Sequence, residues 1–96
     1  MPAYVIGQIR VRDAVKWQEY VSQVAATVIA HRGHIEFRGE VSEIFSGDFT
    51  FDSVVVLRFA DEADAKAWHL SDAYQRLIPL RDAAAEVTLV CVEDGF

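Results

Sequence analysis

The sequence predicts a single α+β domain with a four-stranded antiparallel sheet and the element order β-α-β-β-α-β. Three observations support this fold class. Four segments have the apolar pattern of strands, two segments between them repeat apolar residues at helical spacing, and each helical segment begins at an aspartate able to cap it. The order is ferredoxin-like, and 96 residues suffice for only one such domain, spanning residues 1–96.

The first strand and the first helix are predicted in the first third of the chain. Residues 3–11, AYVIGQIRV, alternate between two faces as a strand does. Asp13 then offers an N-cap for a helix that Gly33 is predicted to end. Tyr20 and Ala25 flank the apolar stripe of this helix, which consists of Trp17, Val21, Val24 and Val28.

The middle of the chain is predicted to contain an interrupted strand and then a regular one. Residues 34–45, HIEFRGEVSEIF, are expected to alternate through Ile35 and Phe37, to kink at Gly39, and to resume as a short strand before a turn at SGDF. Residues 53–59, SVVVLRF, give the strongest strand pattern of the chain.

The last third is predicted to contain a bent helical region and a final strand. Asp61 caps the second helix, whose apolar stripe is expected at Ala63, Ala67 and Leu70. Within residues 67–84, we expect two helical pieces that meet near Ser71, with Ser71 capping the second piece and Pro79 ending or kinking it. Residues 86–93, EVTLVCVE, form the last strand.

Composition and charge exclude several partners. With 15 acidic and 9 basic residues the formal charge is −6, which argues against nucleic acid and against an anionic membrane surface. No apolar run approaches the roughly 20 residues that cross a bilayer, and the N-terminus has no basic leader, so a cytoplasmic location is expected. The single cysteine, Cys91, is expected to be a buried small apolar residue.

Two strands carry more apolar residues than a sheet with one covered face needs. Such strands should alternate apolar and polar residues, yet VVVL and VTLVCV are almost continuously apolar. Because 96 residues leave no third layer, the second face is expected to be buried against another copy of the chain. The sequence therefore predicts a homodimer that buries valine and leucine side chains of residues 54–57 and 87–92.

Four stretches, YVIGQIRVRDAVKWQEYV, HRGHIEFRGEVSEIFSGDF, SVVVLRFADEADAKAWHLSDAYQRLIPLRDAA and LVCVEDG, resemble the bacterial family called domain of unknown function 1330 (DUF1330). The most specific part is AW…S.AYQRLIPLR, where His69 replaces the family's usual tyrosine and Asp72 its usual proline. The resemblance implies a dimeric α+β barrel, a superfamily that includes small monooxygenases, lactone isomerases and haem-degrading enzymes. It also implies a pocket between the concave sheet face and the helices.

Two arginines are candidates for binding an anionic ligand in such a pocket. Arg38 follows a strand and precedes a glycine, where its guanidinium could hold a carboxylate through two hydrogen bonds. The alternative for Arg38 is an ion pair with one of three nearby residues, Glu36, Glu40 and Glu43. Arg81 follows an apolar turn and could point back over the preceding helix, or it could pair with Asp72 or Asp82.

Two aromatic residues of the second helical region are further candidates. Tyr74 is expected to be a core residue whose buried hydroxyl needs a hydrogen-bond partner. Trp68 lies about 100° around the helix from Ala67, which suits either a pocket rim or a dimer edge, and the dimer interface is the favoured interpretation.

The three histidines do not form an evident catalytic or metal-binding group. His31 or His34 can lie at the end of the first helix while the other begins a strand, and His34 is kept as a ligand-binding candidate. His69 is expected to be solvated. No pair of histidines or cysteines has metal-ligand spacing, so neither a metal nor a cofactor is expected.

Two functional hypotheses follow. In the first, the protein binds or transforms a small apolar carboxylate or carbonyl metabolite, with Arg38 or Arg81 as anion anchor and Tyr74 or a histidine as proton donor. In the second, it is a non-catalytic dimeric structural or regulatory module. The residues do not decide whether it is an enzyme. A cavity smaller than about 300 Å³ between helices and sheet would weaken the first hypothesis.

Overall fold

The computed structural model, which describes residues 1–95, confirms the predicted fold class and element order. The strands are β1 (Ala3–Val11), β2 (His34–Glu40), β3 (Ser53–Phe59) and β4 (Ala85–Glu93). The helices are α1 (Ala14–Ile29), α2 (Glu62–Leu70), α3 (Asp72–Gln75) and α4 (Ile78–Ala84). The four strands form one antiparallel sheet in the order β2-β3-β1-β4. No helix within residues 1–95 is long and apolar enough to span a membrane.

The strand register separates a face covered by helices from an open face. Val5, in the buried core, pairs with Leu57 on β3 and Cys91 on β4, so these positions share the covered face. Their neighbours in sequence point to the other side. We call this second side the open face, and its central apolar residues are Phe37, Val56, Ile6 and Val90, in adjacent register across all four strands.

Only half of the side chains predicted to form the dimer interface lie on the open face. Val55, Leu57 and Leu89 belong to the cluster under the helices, because each pairs with a covered-face residue of β1. The alternating pleat leaves the other half of the predicted set on the open face, namely Val54, Val56, Val90 and Val92. The nearly continuous apolar strands thus supply two different surfaces.

Both predicted aspartate caps are present, and they fix where α1 and α2 begin. The Asp13 carboxylate accepts a hydrogen bond from the Lys16 amide at 3.1 Å. The Asp61 carboxylate accepts one from the Asp64 amide at 2.8 Å. Each cap satisfies an amide that the helix itself leaves without a partner.

Gly33 follows α1 as predicted. A glycine is required here because Phe59 and Val28 approach its Cα closely, and not because of its backbone angle. The positive φ of this turn belongs to Arg32, at 61°, and the Gly33 amide donates to the Val28 carbonyl at 3.0 Å. A Cβ at position 33 would lie 2.6 Å from the ring of Phe59 and 2.8 Å from the side chain of Val28. Both neighbours are core residues with little room to move.

We expect Gly33→Ala to lower the free energy of unfolding by about 1–3 kcal/mol, because the new methyl group overpacks the core. Gly39→Ala is the matched control: nothing lies within 4 Å of its Cβ position. The control should change stability by less than about 1 kcal/mol. Urea unfolding of both variants measures the difference, and equal losses would contradict the packing argument.

Strand β2 differs from the prediction. A bulge lies between Ile35 and Phe37, so Ile35 pairs with Leu57 on the covered face while Phe37 pairs with Val56 on the open face. The expected kink at Gly39 is absent, and residues 41–52 form a loop rather than a second short strand. The predicted turn is present in this loop, where Gly47 has a positive φ of 77°.

The predicted stripe of α2 was wrong. Leu70 is 72% exposed and Ala67 is also exposed, while Ala65 and Trp68 are buried. Ala65 and Trp68 are three positions apart and so lie on one side of the helix. The large indole faces the core because it removes far more apolar area from water than an alanine does.

Residues 67–84 contain three helical pieces instead of the predicted two: the end of α2, then α3 and α4. Ser71 caps α3 as predicted, since its hydroxyl accepts a hydrogen bond from the Tyr74 amide at 3.2 Å. Pro79 does not end this piece; it lies in the first turn of α4. A proline is compatible with that position because the first amides of a helix have no intrahelical acceptor.

Candidate functional site

A cleft lies between α1 and the covered face of the sheet. Its volume is about 280 Å³, which is just below the roughly 300 Å³ at which ligand pockets usually begin. Most of the residues that line it are apolar, and they come from all four strands, α1 and α2: Ile9, Val21, Val24, Ile35, Val55, Leu57, Val87 and Leu89 among them. The cleft therefore suits a small apolar ligand.

Aromatic side chains form one wall of the cleft. Trp17 and Tyr20 of α1 are stacked, with ring centroids 5.1 Å apart and planes 26° from parallel. Trp68 of α2 also lines the cleft. Flat aromatic surfaces of this kind favour stacking with a flat ligand.

Arg38 lies at this cleft, and it is there because of the bulge in β2. The bulge shifts the register by one residue, so Arg38 pairs with Val55 on the covered face. None of the ion pairs considered for Arg38 forms: within residues 1–95, no carboxylate oxygen lies within 4.0 Å of its guanidinium. Glu40 also lines the cleft. Arg38 is the only basic residue among the described lining residues.

Tyr74 is fully buried, as predicted, and its hydroxyl joins a polar cluster. The Arg81 guanidinium donates to the Tyr74 hydroxyl at 2.9 Å, and the Tyr20 hydroxyl lies 3.0 Å from it. Burial raises the pKa of Tyr20 above its ordinary value. Tyr20 is therefore a neutral hydroxyl group near physiological pH.

Arg81 both points back over the preceding helical region and pairs with an aspartate. It reaches back to Tyr74 through one nitrogen, and its Nε donates to the Asp82 carboxylate at 3.0 Å. The Arg81 side chain is 13% exposed. Burial alone would lower the pKa of Arg81, but its hydrogen bonds to Tyr74 and Asp82 outweigh burial and raise it. Arg81 is thus a fixed cation behind the tyrosine pair.

Trp68 is not at a dimer edge. It is 1% exposed within a single chain, and its indole nitrogen donates to the Thr27 hydroxyl at 3.0 Å. Its ring lies 4.2 Å from that of Tyr74 and 5.5 Å from that of Phe59, between centroids. Trp68 is therefore a core residue that also lines the cleft.

The structure brings only some of the candidate residues together. Arg38 and Trp68 line the cleft, while Tyr74 and Arg81 lie behind Tyr20 and are not among its described lining residues. The sequence places Tyr20 beside the apolar stripe of α1 but assigns it no functional role. A tyrosine at the border of a buried stripe is a usable signal, because its hydroxyl needs a partner when buried.

The histidines lie outside the cleft. His34 is on the open face, where it pairs with Arg58 across the strands and its ring contacts Glu36 at 2.7 Å. The His31 ring contacts the Thr27 carbonyl near the end of α1 at 3.1 Å, and His69 is exposed. Within residues 1–95, no three histidine, cysteine, aspartate or glutamate residues are grouped as metal ligands.

A second groove, of about 320 Å³, lies between α2 and β4 and contains Cys91. Contrary to the prediction, Cys91 is exposed. Partial desolvation and the nearby carboxylates of Glu62 and Glu93 raise the pKa of the Cys91 thiol. A protonated thiol is a poor nucleophile, so Cys91 is not an activated nucleophile in this groove.

Comparison with known families identifies the chain. The model of the family described as domain of unknown function (DUF1330) matches residues 2–95. The chain belongs to this family. The resemblance noted in the sequence is thereby confirmed. A comparison with curated proteins found no match.

Solved structures similar to this DUF1330 chain share its fold at low sequence identity. A protein of unknown function from Rhodopseudomonas palustris, RPA0582, has a TM-score of 0.82 at 16% identity, covering 99% of this chain and 83% of its own. A dimeric ferredoxin-like protein from Jannaschia sp. CCS1 has a TM-score of 0.76 at 12% identity, covering 98% and 100%. SnoaB, a cofactor-independent oxygenase from Streptomyces nogalater, has a TM-score of 0.70 at 9% identity, covering 99% and 94%.

Proposed function

We propose that this DUF1330 protein is a homodimer in which each chain binds one small, flat, apolar molecule that carries a carboxylate or carbonyl group. The observation that carries the proposal is the lining of the cleft: an apolar interior, an aromatic wall and one guanidinium without a carboxylate partner among residues 1–95. This combination matches the usual composition of small-molecule sites, in which a few polar groups orient the ligand.

The small volume of the cleft limits the size of the ligand. At about 280 Å³, it falls slightly short of the roughly 300 Å³ typical of the smallest ligand pockets. The proposal therefore rests on the lining and not on the volume. A molecule with a single ring is the expected size class, because the cleft is small and is lined by both Trp17 and Arg38.

The homodimer is supported by the open face. Ile6 and Val56 lie at its centre, flanked by Phe37 and Val90, which are 56% and 54% exposed in the single chain. An apolar row of this kind costs free energy in water and marks an association surface. The structural neighbour from Jannaschia sp. CCS1 is described as dimeric. Sedimentation at micromolar concentration tests the proposal, and a species of 10.8 kDa would refute it.

The alternative is a dimeric structural or regulatory module without a ligand. It requires the open face but not the cleft. Intrinsic fluorescence distinguishes the two, because both tryptophans of the chain, Trp17 and Trp68, line the cleft. A ligand in the cleft changes their emission, whereas a dimer without ligand sites leaves it unchanged during titration with a panel of aromatic acids and ketones.

We expect Arg38→Gln to weaken the binding of benzoate, chosen as a one-ring carboxylate, by about tenfold or more, because a charged hydrogen bond is lost. Binding of toluene, which has no anionic group, should not change. Arg76→Gln is the control, since Arg76 is exposed and is not a lining residue. Tryptophan fluorescence measures benzoate, and the shift in unfolding temperature measures toluene. Equal benzoate affinity in the wild type, Arg38→Gln and Arg76→Gln would refute the role of Arg38.

A further inference from the structure

Tyr20 belongs both to the cleft and to the buried polar cluster behind it. Its side chain lines the cleft, and its hydroxyl lies 3.0 Å from that of Tyr74. Tyr74 in turn accepts from Arg81 at 2.9 Å, and Arg81 donates to Asp82 at 3.0 Å. A line of hydrogen-bonded groups therefore runs from the exposed carboxylate of Asp82 to the wall of the cleft.

Counting donors and acceptors fixes the direction of the hydrogen bond between the two tyrosines. A guanidinium has donors only, so the Tyr74 oxygen must be the acceptor of its bond with Arg81. Tyr74 is fully buried, and the only acceptor within hydrogen-bonding distance of its hydroxyl among the described residues is the Tyr20 oxygen. A buried hydroxyl hydrogen without an acceptor is costly. The favourable arrangement is therefore Tyr74 donating to Tyr20, because Tyr20 lines the cleft, where water or a ligand can accept its own hydrogen.

This direction leaves the hydrogen of Tyr20 uncommitted. The Tyr20 oxygen already accepts from Tyr74, and no other side-chain or backbone partner within residues 1–95 is within hydrogen-bonding distance of it. Because the chain of bonds starts at a cation, each hydroxyl is polarised by the one behind it, which strengthens Tyr20 as a donor. Burial keeps this hydroxyl protonated, since it raises the pKa of Tyr20.

We propose that the Tyr20 hydroxyl donates a hydrogen bond to the carbonyl or anionic oxygen of the ligand, and that Tyr74 and Arg81 are positioning residues that orient and polarise it. This inference rests on the proposed function, because it requires a ligand in the cleft. It moves the donor role from Tyr74, where the sequence suggested it, to Tyr20. It also restricts the ligand to molecules with a hydrogen-bond acceptor that can reach Tyr20.

Binding of 4-nitrophenolate tests the proposal, since this one-ring anion has a visible absorption band that moves to shorter wavelength when its oxygen accepts a hydrogen bond. The band of the anion bound to the wild-type protein should lie at a shorter wavelength than the band of the anion bound to Tyr20→Phe, which has no hydroxyl to donate. Tyr20→Phe should also weaken binding by about tenfold or more. Tyr74→Phe keeps the Tyr20 hydroxyl but removes its orienting partner, so binding and band position should be intermediate.

Tyr4→Phe is the matched control, because Tyr4 is the remaining tyrosine of the chain and lies on the other side of the sheet. It should match the wild type in affinity and band position. If Tyr20→Phe also matches the wild type while 4-nitrophenolate still binds, the proposed function stands and the role of Tyr20 is refuted. If toluene stabilises the protein and 4-nitrophenolate does not bind, the cleft is purely apolar and the role of Tyr20 is again refuted. If neither compound binds, both proposals fail.

The stability of the same variants gives an independent measurement without ligand. Tyr74→Phe removes the acceptor of Arg81 and the donor to Tyr20, whereas Tyr20→Phe removes only the acceptor of Tyr74. The unfolding temperature should therefore fall more for Tyr74→Phe, although ligand binding falls more for Tyr20→Phe. A merely structural tyrosine pair does not produce this crossed pattern, and finding both effects larger at the same residue would refute the proposed direction.

Discussion

Trp68→Ala is expected to lower the free energy of unfolding by about 3–5 kcal/mol, the range seen for truncating large buried aromatic residues. Trp68 is 1% exposed and packs between Phe59 and Tyr74. Removing the indole leaves a void between these rings. It also leaves the Thr27 hydroxyl without the hydrogen bond it accepts from the indole nitrogen. The loss is comparable with the whole stability of a marginally stable small domain.

Urea unfolding followed by circular dichroism, at one protein concentration, measures this loss. Trp17→Ala is the matched control, because Trp17 is only half-buried at the cleft and should cost clearly less. Thr27→Val isolates the hydrogen bond, with an expected loss of about 1–3 kcal/mol for an unsatisfied indole nitrogen. A loss below about 1 kcal/mol for Trp68→Ala would show that Trp68 is not part of the core.

Ile6→Glu is expected to convert the proposed dimer to monomers. Ile6 lies at the centre of the open face, between Val56 and Val90 in register. In the dimer, a glutamate there would be placed among apolar side chains without a partner, and a buried unpaired charge costs several kcal/mol. In the monomer the same side chain remains accessible to water. The dissociation constant of the dimer should therefore rise by at least about a hundredfold.

Ile29→Glu is the matched control for this change. Ile29 is 67% exposed at the end of α1, so the same substitution should leave the assembly intact. Analytical ultracentrifugation over a range of concentrations compares the two variants with the wild type. Circular dichroism checks that Ile6→Glu is folded. A folded Ile6→Glu protein that remains dimeric would mean that the open face is not the interface.

The order of the elements could be predicted from the sequence because its signals are local. Asp13, Asp61 and Ser71 each hydrogen-bond an amide three residues later, so a window of four residues contains the whole interaction. The alternation of β1 is equally local. Local signals of this kind define where helices and strands begin.

Features that depend on packing between distant segments were not predictable in the same way. The stripe of α2 was assigned to the wrong side because alanines occur on several sides of this helix, and only contact with Phe59 selects the side that carries Trp68. The need of Tyr74 for a partner was predicted, but the partner, Tyr20, is 54 residues away. No spacing rule connects the two positions.

The bulge in β2 determines which face of the sheet carries the charge of Arg38 and which carries the ring of Phe37. With regular alternation from Ile35, Phe37 would face the cleft and Arg38 would be on the open face. The cleft would then lose its basic side chain, and the proposed interface would gain a charge and lose an aromatic ring. A single inserted residue therefore couples the proposed ligand preference to the proposed self-association. During evolution, deletion of one codon in this strand would change both the charge at the cleft and the apolar character of the open face.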